Sequence, residues 1–540
     1  MVDVSRLFMH PVPGPDSVTI PVALDASGYA QIRYATNPDL SNATTSPSVQ
    51  TGGGFSARIP LSNLASSTQY YYEVLADGVA WPTASSGDIG KTQDGDPPRF
   101  RTAPEAGTHE DFDFIFYSCF QSGGNTQIWP GLASKSPRFV CELGDNGYPD
   151  SNAAFSGSLD DYRGNFAFLA QNSAVSNWFR TRYVVHRCGG AHCVDDHDYG
   201  GGESDKDFAN KQNCIDAFLE RGAFQRLADP ANGLWHSFEY GDCLFVALDA
   251  RTQRRASKST GPITGVSRFP TSGTLTADIG SGDTTLNINS SDSPDTTANA
   301  YQGHYAKVVT GMGTYWRRVE SSADAGGGAV TCTLNASVPG LDELSTYFIK
   351  DASIFDGERL LSAGQVDWMV DLINATERYW IFILAPQPWN RLAFSDDNHR
   401  SVDSEVVELQ FIAQAIDSDR HERIIILSGD SHRMGLSDNS VTETFFAAEF
   451  MGTPLDRSPS EGTHTWNKGK SPFPPGSNDP SGGSGRYFGL VKVRRRSVYL
   501  QAWWGGNILS GSPPVRMTQI QGTIVGGRSP ILKASGIIGG

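Results

Sequence analysis

The stretch "HCVDDHDYGGGES", residues 192–204, sets Asp195, Asp196, His197, Asp198 and Tyr199 in a row and then adds three glycines. Adjacent carboxylates repel and glycines lose backbone freedom on ordering, so the run stabilises neither a helix nor a strand. A bound cation offsets both costs. Hard cations favour carboxylate oxygens, whereas a histidine nitrogen, a phenolate or a thiolate suits a more Lewis-acidic transition metal. The chain carries both kinds of ligand in comparable clusters: Ser118-Cys119-Phe120, Gly144-Asp145-Asn146-Gly147-Tyr148, Asp249-Ala250-Arg251, Pro386-Gln387, and Ser428-Gly429-Asp430-Ser431-His432. A site with two or more metals is the expectation, because buried unpaired acids are costly and a multivalent ion removes that cost.

Taken singly, each cluster has a plainer explanation. An isolated Gly-Asp is more often an Asx-type turn than a ligand, a cysteine at a strand end is more often core, and a lone histidine is more often structural. Six clusters at six strand ends are hard to obtain from turn chemistry alone. "FDFIFY", "RFVCEL", "CLFVAL", "WIFILA" and "RIIIL" each run directly into a cluster, and so does the segment ending at Val194. Ligands of α/β sheets bind at the carboxyl ends of strands, so these loops can converge on one place.

The elements that must position them form an α/β domain over 108–515. Val366, Met369, Val370 and Ile373 recur at helical spacing before a strand around 379–385, and Val406, Leu409, Ile412, Ala413 and Ile416 do so before a strand from Arg423 to Leu427. In front of it, residues 16–103 alternate apolar and polar in short runs, the spacing of a small fibronectin- or immunoglobulin-like β-sandwich, with a boundary near 107. Residues 270–350 lose the helical period and turn Gly/Ser/Thr/Asp-rich, which predicts an inserted β-rich module rather than a loop of that length. "RYFGLVKVRRRSVYLQAWW" reads as a closing hairpin, and the tail 516–540 carries no clear signal and is expected to be partly disordered.

A chain of 540 residues is too long for one core, and two or three domains are expected. No run approaches the ~20 apolar residues of a membrane helix. The net charge of −16 argues against a surface that coats large nucleic acids. No charged n-region and apolar h-region open the chain, so either it stays in the cytoplasm or a leader has been removed, and the location is left open. Seven cysteines cannot all pair, and Cys188 and Cys193 either close a small disulfide loop or stay reduced.

At "SCF", "GDNGY", "DDHDYG", "LDARTQR" and "SGDSH", in that order, the chain resembles the PhoD-type alkaline phosphatase/phosphodiesterase family of the calcineurin-like metallophosphoesterase superfamily. "GQVDWMVDLI", "WIFILAPQPW" and "FFAAEFMGTP" extend the likeness over most of 1–515 outside the 270–350 insert. The resemblance implies a metallophosphoesterase-type α/β sandwich and a centre of Fe(III) with one or two Ca(II). It places Cys119 as a thiolate ligand, Asp145 as the bridging carboxylate and Tyr148 as a phenolate on the iron. Asp196 takes the second-metal position with Asp195 as an additional ligand, Asp430 falls on the calcium side and His432 on the iron side. His197 is implied to be the catalytic histidine, Arg163 of "DYRGNF" the phosphate-contacting arginine, and Arg251 and Gln387 further substrate contacts. After "DDHD" the family commonly has asparagines where this chain has "YGGGES", and Pro386-Gln387 replaces a commoner Asn-Gln pair.

The expected activity is metal-dependent hydrolysis of phosphate monoesters or small diesters by a metal-bound hydroxide or oxide. Two alternatives stand beside it. One is a surface- or carbohydrate-binding protein with a vestigial metal site; the other is a phosphotriesterase or nuclease-type diesterase. Oligomeric state, natural substrate and the number of calcium ions are not legible in the chain.

Overall fold

The computed structural model describes residues 4–81, 97–121, 135–171, 188–201, 204–254, 273–274, 284–288, 294–302, 305–310, 313–334, 346–350, 361–389, 412–413, 415–417, 419–430, 434–437, 447–453, 486–495, 497–505, 520–525 and 531–534, with isolated positions 2, 132, 290, 338, 432 and 455. Val406 and Leu409 lie outside the described residues.

Two large sheets face each other. The first runs in the order Gly190–His192, Val140–Glu142, Phe112–Tyr117, Arg486–Arg494, Ser497–Gly505, Ile520–Val525, Ile531–Ala534; its first three strands are parallel and the rest antiparallel. The second runs His236–Tyr240, Cys243–Ala247, Trp380–Ala385, Ile424–Ser428, Ala448–Gly452, Met434–Ser437, with four central strands parallel and an antiparallel strand at each edge. The central strands "WIFILA" and "IIILS" are buried at every position, as expected where both faces of a parallel sheet are covered. Between the sheets, Phe114 meets both Phe245 and Phe382 edge-on at 5.2 Å, and Phe116 meets Phe450 at 5.1 Å. The outer face of the second sheet is covered by the helix Ala363–Ala375, which buries Val366, Met369, Val370 and Ile373 against Val246, Ile381 and Ile383. Ser362 caps this helix by accepting from the Gln365 N–H. Ile412 and Ile416 join the same core. The whole is an α/β sandwich.

At the front, strands including Val18–Leu24, Tyr29–Ala35, Ser56–Leu61 and Gln69–Ala76 form two antiparallel sheets around Ile20, Val22, Ile32, Ile59, Tyr72 and Phe100. Their period-2 patterning sends alternate side chains into that core. This part is tied to the rest by backbone bonds from Val12 to Gly190 and from Gly190 to His10, both 2.9 Å, and by Arg58, which donates to the Gly222 and Phe224 carbonyls. Residues 273–350 contribute a separate antiparallel sheet of six strands with its own core of Leu286, Ile288, Val308, Val319 and Val330.

Within the tail, Ile520–Val525 and Ile531–Ala534 extend the first sheet beyond Ser497–Gly505. Backbone pairing on an edge strand does not require the apolar periodicity that a sequence reading looks for. Cys188 and Cys193 are both free thiols, as are the other five cysteines. No described helix is long and apolar enough to cross a membrane.

Candidate metal centre

Every cluster leaves a strand at its carboxyl end, and the two sheets bring these ends together. Phe112–Tyr117 delivers Cys119, Val140–Glu142 delivers Asp145 and Tyr148, and Gly190–His192 delivers Asp195, Asp196 and His197. From the opposite sheet Cys243–Ala247 delivers Arg251, Trp380–Ala385 delivers Gln387, and Ile424–Ser428 delivers Asp430 and His432.

The ligating atoms fall into three overlapping groups, each within 4.8 Å: Cys119, Asp145 and His432; Asp145, Asp196 and His197; and Asp145, Asp195, Asp196 and Asp430. Asp145 belongs to all three, the position of a bridging carboxylate. Tyr148 Oη donates to Asp145 Oδ2 at 2.9 Å and lies 3.1 Å from His432 Nε2, so the phenol sits on the side of Cys119 and His432. Cys119, Tyr148 and His432 gather on one side of Asp145, a set that suits a more Lewis-acidic transition metal, and on the other stand the carboxylates of Asp195, Asp196 and Asp430, which suit a hard cation, with the His197 imidazole beside them.

The backbone is bent to achieve this. Cys119, Asp145, Tyr148, Asp430 and His432 all have φ between 50° and 64°, in the left-handed region. For non-glycine residues such conformations cost of order 1–3 kcal/mol each and persist only where the surroundings impose them. Glycine permits the closest approach of the loops: a Cβ on Gly144, at φ 102°, would stand 2.5 Å from Asp195 Cβ.

Charge is unbalanced. Burial, then the neighbouring Asp196, Asp195, Asp430 and Asp198, hold the Asp145 carboxyl far above the usual carboxylate range. Burial, with Asp145 and Asp430 nearby, likewise pushes the Cys119 thiol up. Arg251, only 2% exposed, answers part of this with Nε 2.6 Å from Asp195 Oδ1 and a guanidinium nitrogen 3.7 Å from Asp196 Oδ1. Burial raises Asp195 to about 6 against that pull, while Arg251 and His197 overcome burial at Asp196 and bring it to about 2. Asp195 Oδ2, Asp196 Oδ1 and both amide atoms of the fully buried Gln387 have no hydrogen-bond partner among the described residues. Cations placed among these carboxylates satisfy the orphaned oxygens and remove the repulsion, so the residues fit a metal centre.

Two residues beyond the expected set hold it in shape. Asp198 accepts from the backbone N–H groups of Asp145 at 2.5 Å, Asn146 at 2.8 Å and Asp195 at 3.0 Å, pinning the "GDNGY" loop to the start of the helix Asp196–Tyr199. Asp150 Oδ2 lies 2.7 Å from His197 Nδ1. Burial disfavours a charged His197, but the Asp150 bond and the charges of Asp196, Asp150 and Asp195 outweigh it and raise its pKa. Asp198 stood within the quoted "DDHD", and Asp150 two positions after Tyr148; nothing in their spacing marks either as an acceptor.

Arg163 is not brought to this group. It lies on the helix Leu159–Gln171, bonds both Glu220 oxygens at 2.5 and 2.8 Å and Asp160 at 3.2 Å, and fills the space over Gly53 and Gly54 of the front sandwich. Its guanidinium is committed to Glu220 and Asp160, and the phosphate-contact expectation meets that competing set of partners.

Comparison with known proteins agrees with this arrangement. The fold is similar to that of the solved structure of PhoD (TM-score 0.61, 13% identity, covering 96% of this chain and 89% of that one). It is also similar to a purple acid phosphatase from yellow lupin (Lupinus luteus) seeds (TM-score 0.50, 9% identity, covering 93% of this chain and 72% of that one). No curated protein matches the sequence. The sequence model of the PhoD-like phosphatase family matches residues 114–502, the span that holds both sheets' site strands and every expected ligand, and the chain belongs to the PhoD-like phosphatases.

Proposed function

We propose that this chain hydrolyses phosphate monoesters or small diesters at a centre of Fe(III) and Ca(II). The single observation that carries the reading is the sharing of Asp145 by three ligand groups, one with Cys119 and His432 beside the Tyr148 phenol, and two built on Asp195, Asp196 and Asp430 with His197. Cys119, Tyr148 and His432 would hold the iron, Asp195, Asp196 and Asp430 the calcium, and Asp145 both. When bound, such an ion pair supplies Lewis acidity that draws charge from phosphoryl oxygens and acidifies water.

The protein's own groups do the rest. His197, held through Nδ1 by Asp150, presents its other nitrogen to the leaving oxygen as a proton donor. The Asp150 bond and the neighbouring carboxylates favour the protonated imidazole. Arg251 keeps Asp195 and Asp196 anionic and in place, a positioning role. The buried, unpaired amide of Gln387 offers a donor to a phosphoryl oxygen. Arg163 is paired with Glu220 and Asp160, and no role in the reaction is proposed for it.

Elemental analysis with a visible spectrum and phosphate-ester assays tests the reading. Stoichiometric iron and calcium with a charge-transfer band are expected, and Asp145→Asn is expected to lose both metals and at least 10³-fold in turnover, on the scale of a shared Lewis-acid ligand. Colourless protein that cannot be reconstituted, or an active Asp145→Asn, refutes it.

A further inference from the structure

Ser118 lies between two ligand loops that come from opposite sheets, and its side chain is fully buried. The backbone N–H of Asp430 donates to Ser118 Oγ at 3.1 Å, and the same Oγ lies 3.1 Å from Cys119 Sγ. A hydroxyl carries one hydrogen and can accept through its lone pairs. With Oγ accepting from Asp430, its hydrogen is left for the sulfur, and a thiolate sulfur can only accept. Cys119 Sγ also stands 3.3 Å from the Asp430 carbonyl oxygen. A thiol donates to that oxygen; a thiolate is repelled by it, and a hydrogen bond donated to the sulfur offsets the repulsion.

We propose that Ser118 is a positioning residue of the metal centre, donating its hydroxyl hydrogen to the Cys119 thiolate while accepting from the Asp430 N–H, so that one side chain sets both the sulfur's electron density and the spacing of the two ligand loops. The inference rests on the reading of Cys119 as a metal ligand. A hydrogen bond to a ligating sulfur withdraws density from it and fixes its direction, and loss of such an outer partner typically weakens metal binding 10–100-fold.

The test uses the full chain stripped of metal and reloaded with Co(II), whose thiolate charge-transfer band reports a bond from Cys119 whichever ion the native site holds. The wild-type protein is expected to show the band and Cys119→Ser to lack it. Ser118→Ala should move the band to longer wavelength and weaken Co(II) binding 10–100-fold. In the Cys119→Ser background the same substitution should cost clearly less affinity than in the wild-type chain, because only its contact with the Asp430 N–H remains to be lost. An unmoved band, or an equal affinity loss in both backgrounds, means that Ser118 only caps the Asp430 N–H and overturns the proposal. Should Ser118→Ala not fold, Ser118→Thr decides: the retained hydroxyl keeps the band at the wild-type wavelength, and a displaced band overturns the proposal. A wild-type protein without the band refutes Cys119 as a ligand, which is a separate failure.

Discussion

Asp150→Asn isolates the contribution of the residue behind His197, the proposed proton donor. In the wild-type chain Asp150 Oδ2 stands 2.7 Å from His197 Nδ1, both side chains are largely buried, and Asp150 is outside all three ligand groups. A hydrogen bond between charged groups is worth about 1.5–3 kcal/mol. Asparagine leaves a neutral bond of about 0.5–1.5 kcal/mol, so about 1–1.5 kcal/mol is lost, and at 1.36 kcal/mol per decade kcat falls about 5–10-fold. The asparagine still accepts from Nδ1, so the loss stays short of removing the histidine itself. The sign with pH follows from the same contact. Asp150 is among the groups that raise the His197 pKa, so its neutralisation lowers that pKa. If protonated His197 is the active form, the alkaline limb of the kcat profile moves to lower pH, and metal content and KM are unchanged. The assay is a pH series of steady-state turnover with a chromogenic phosphate ester, beside elemental analysis. A profile that keeps its alkaline limb, or a full kcat, refutes the assignment of His197 as proton donor oriented by Asp150.

Arg163→Ala should leave kcat and KM within about 2-fold while lowering unfolding stability by about 1–3 kcal/mol, because a largely buried pair with Glu220 is broken; a 10²-fold loss of turnover with unchanged stability would restore the phosphate-contact assignment. Gly144→Ala must place a Cβ 2.5 Å from Asp195 Cβ at a φ of 102°, so metal content by elemental analysis should collapse, and normal loading would show that the two loops need not approach so closely. Burial lowers His10 and His236 to about 4, so between pH 6.5 and 4 the unfolded chain takes up protons that the fold does not. Stability from these two is complete above 6.5 and falls by about 2 kcal/mol per histidine by pH 5. Urea unfolding at pH 7 and pH 5 should show a smaller drop for His236→Gln than for wild type, and equal drops would place His236 in contact with solvent.

Much of the architecture is legible in one chain because it depends on local pattern. "WIFILA" and "RIIIL" are short apolar runs that only doubly covered strands use, and Val366, Met369, Val370 and Ile373 share one face of a helix whatever that face meets. The ligand types at the strand ends are legible for a similar reason: a cluster of acids, a histidine and a tyrosine in a glycine-bearing loop has few stable uses without a cation.

What the sequence alone determined, then, is which residues stand at the ends of which strands, and hence the chemistry on offer. The tertiary structure alone decided which of them meet. Asp150 and His197 are 47 residues apart, Asp145 and Asp198 53, and Ser118 and Asp430 312, and only the docking of separate loops makes these pairs neighbours. Arg163 shows the converse: an arginine of suitable type is drawn to Glu220 and the front sandwich by packing that no periodicity reports. The left-handed backbone at five expected ligands is likewise invisible in residue type, since cysteine and tyrosine rarely adopt it unless their surroundings impose it.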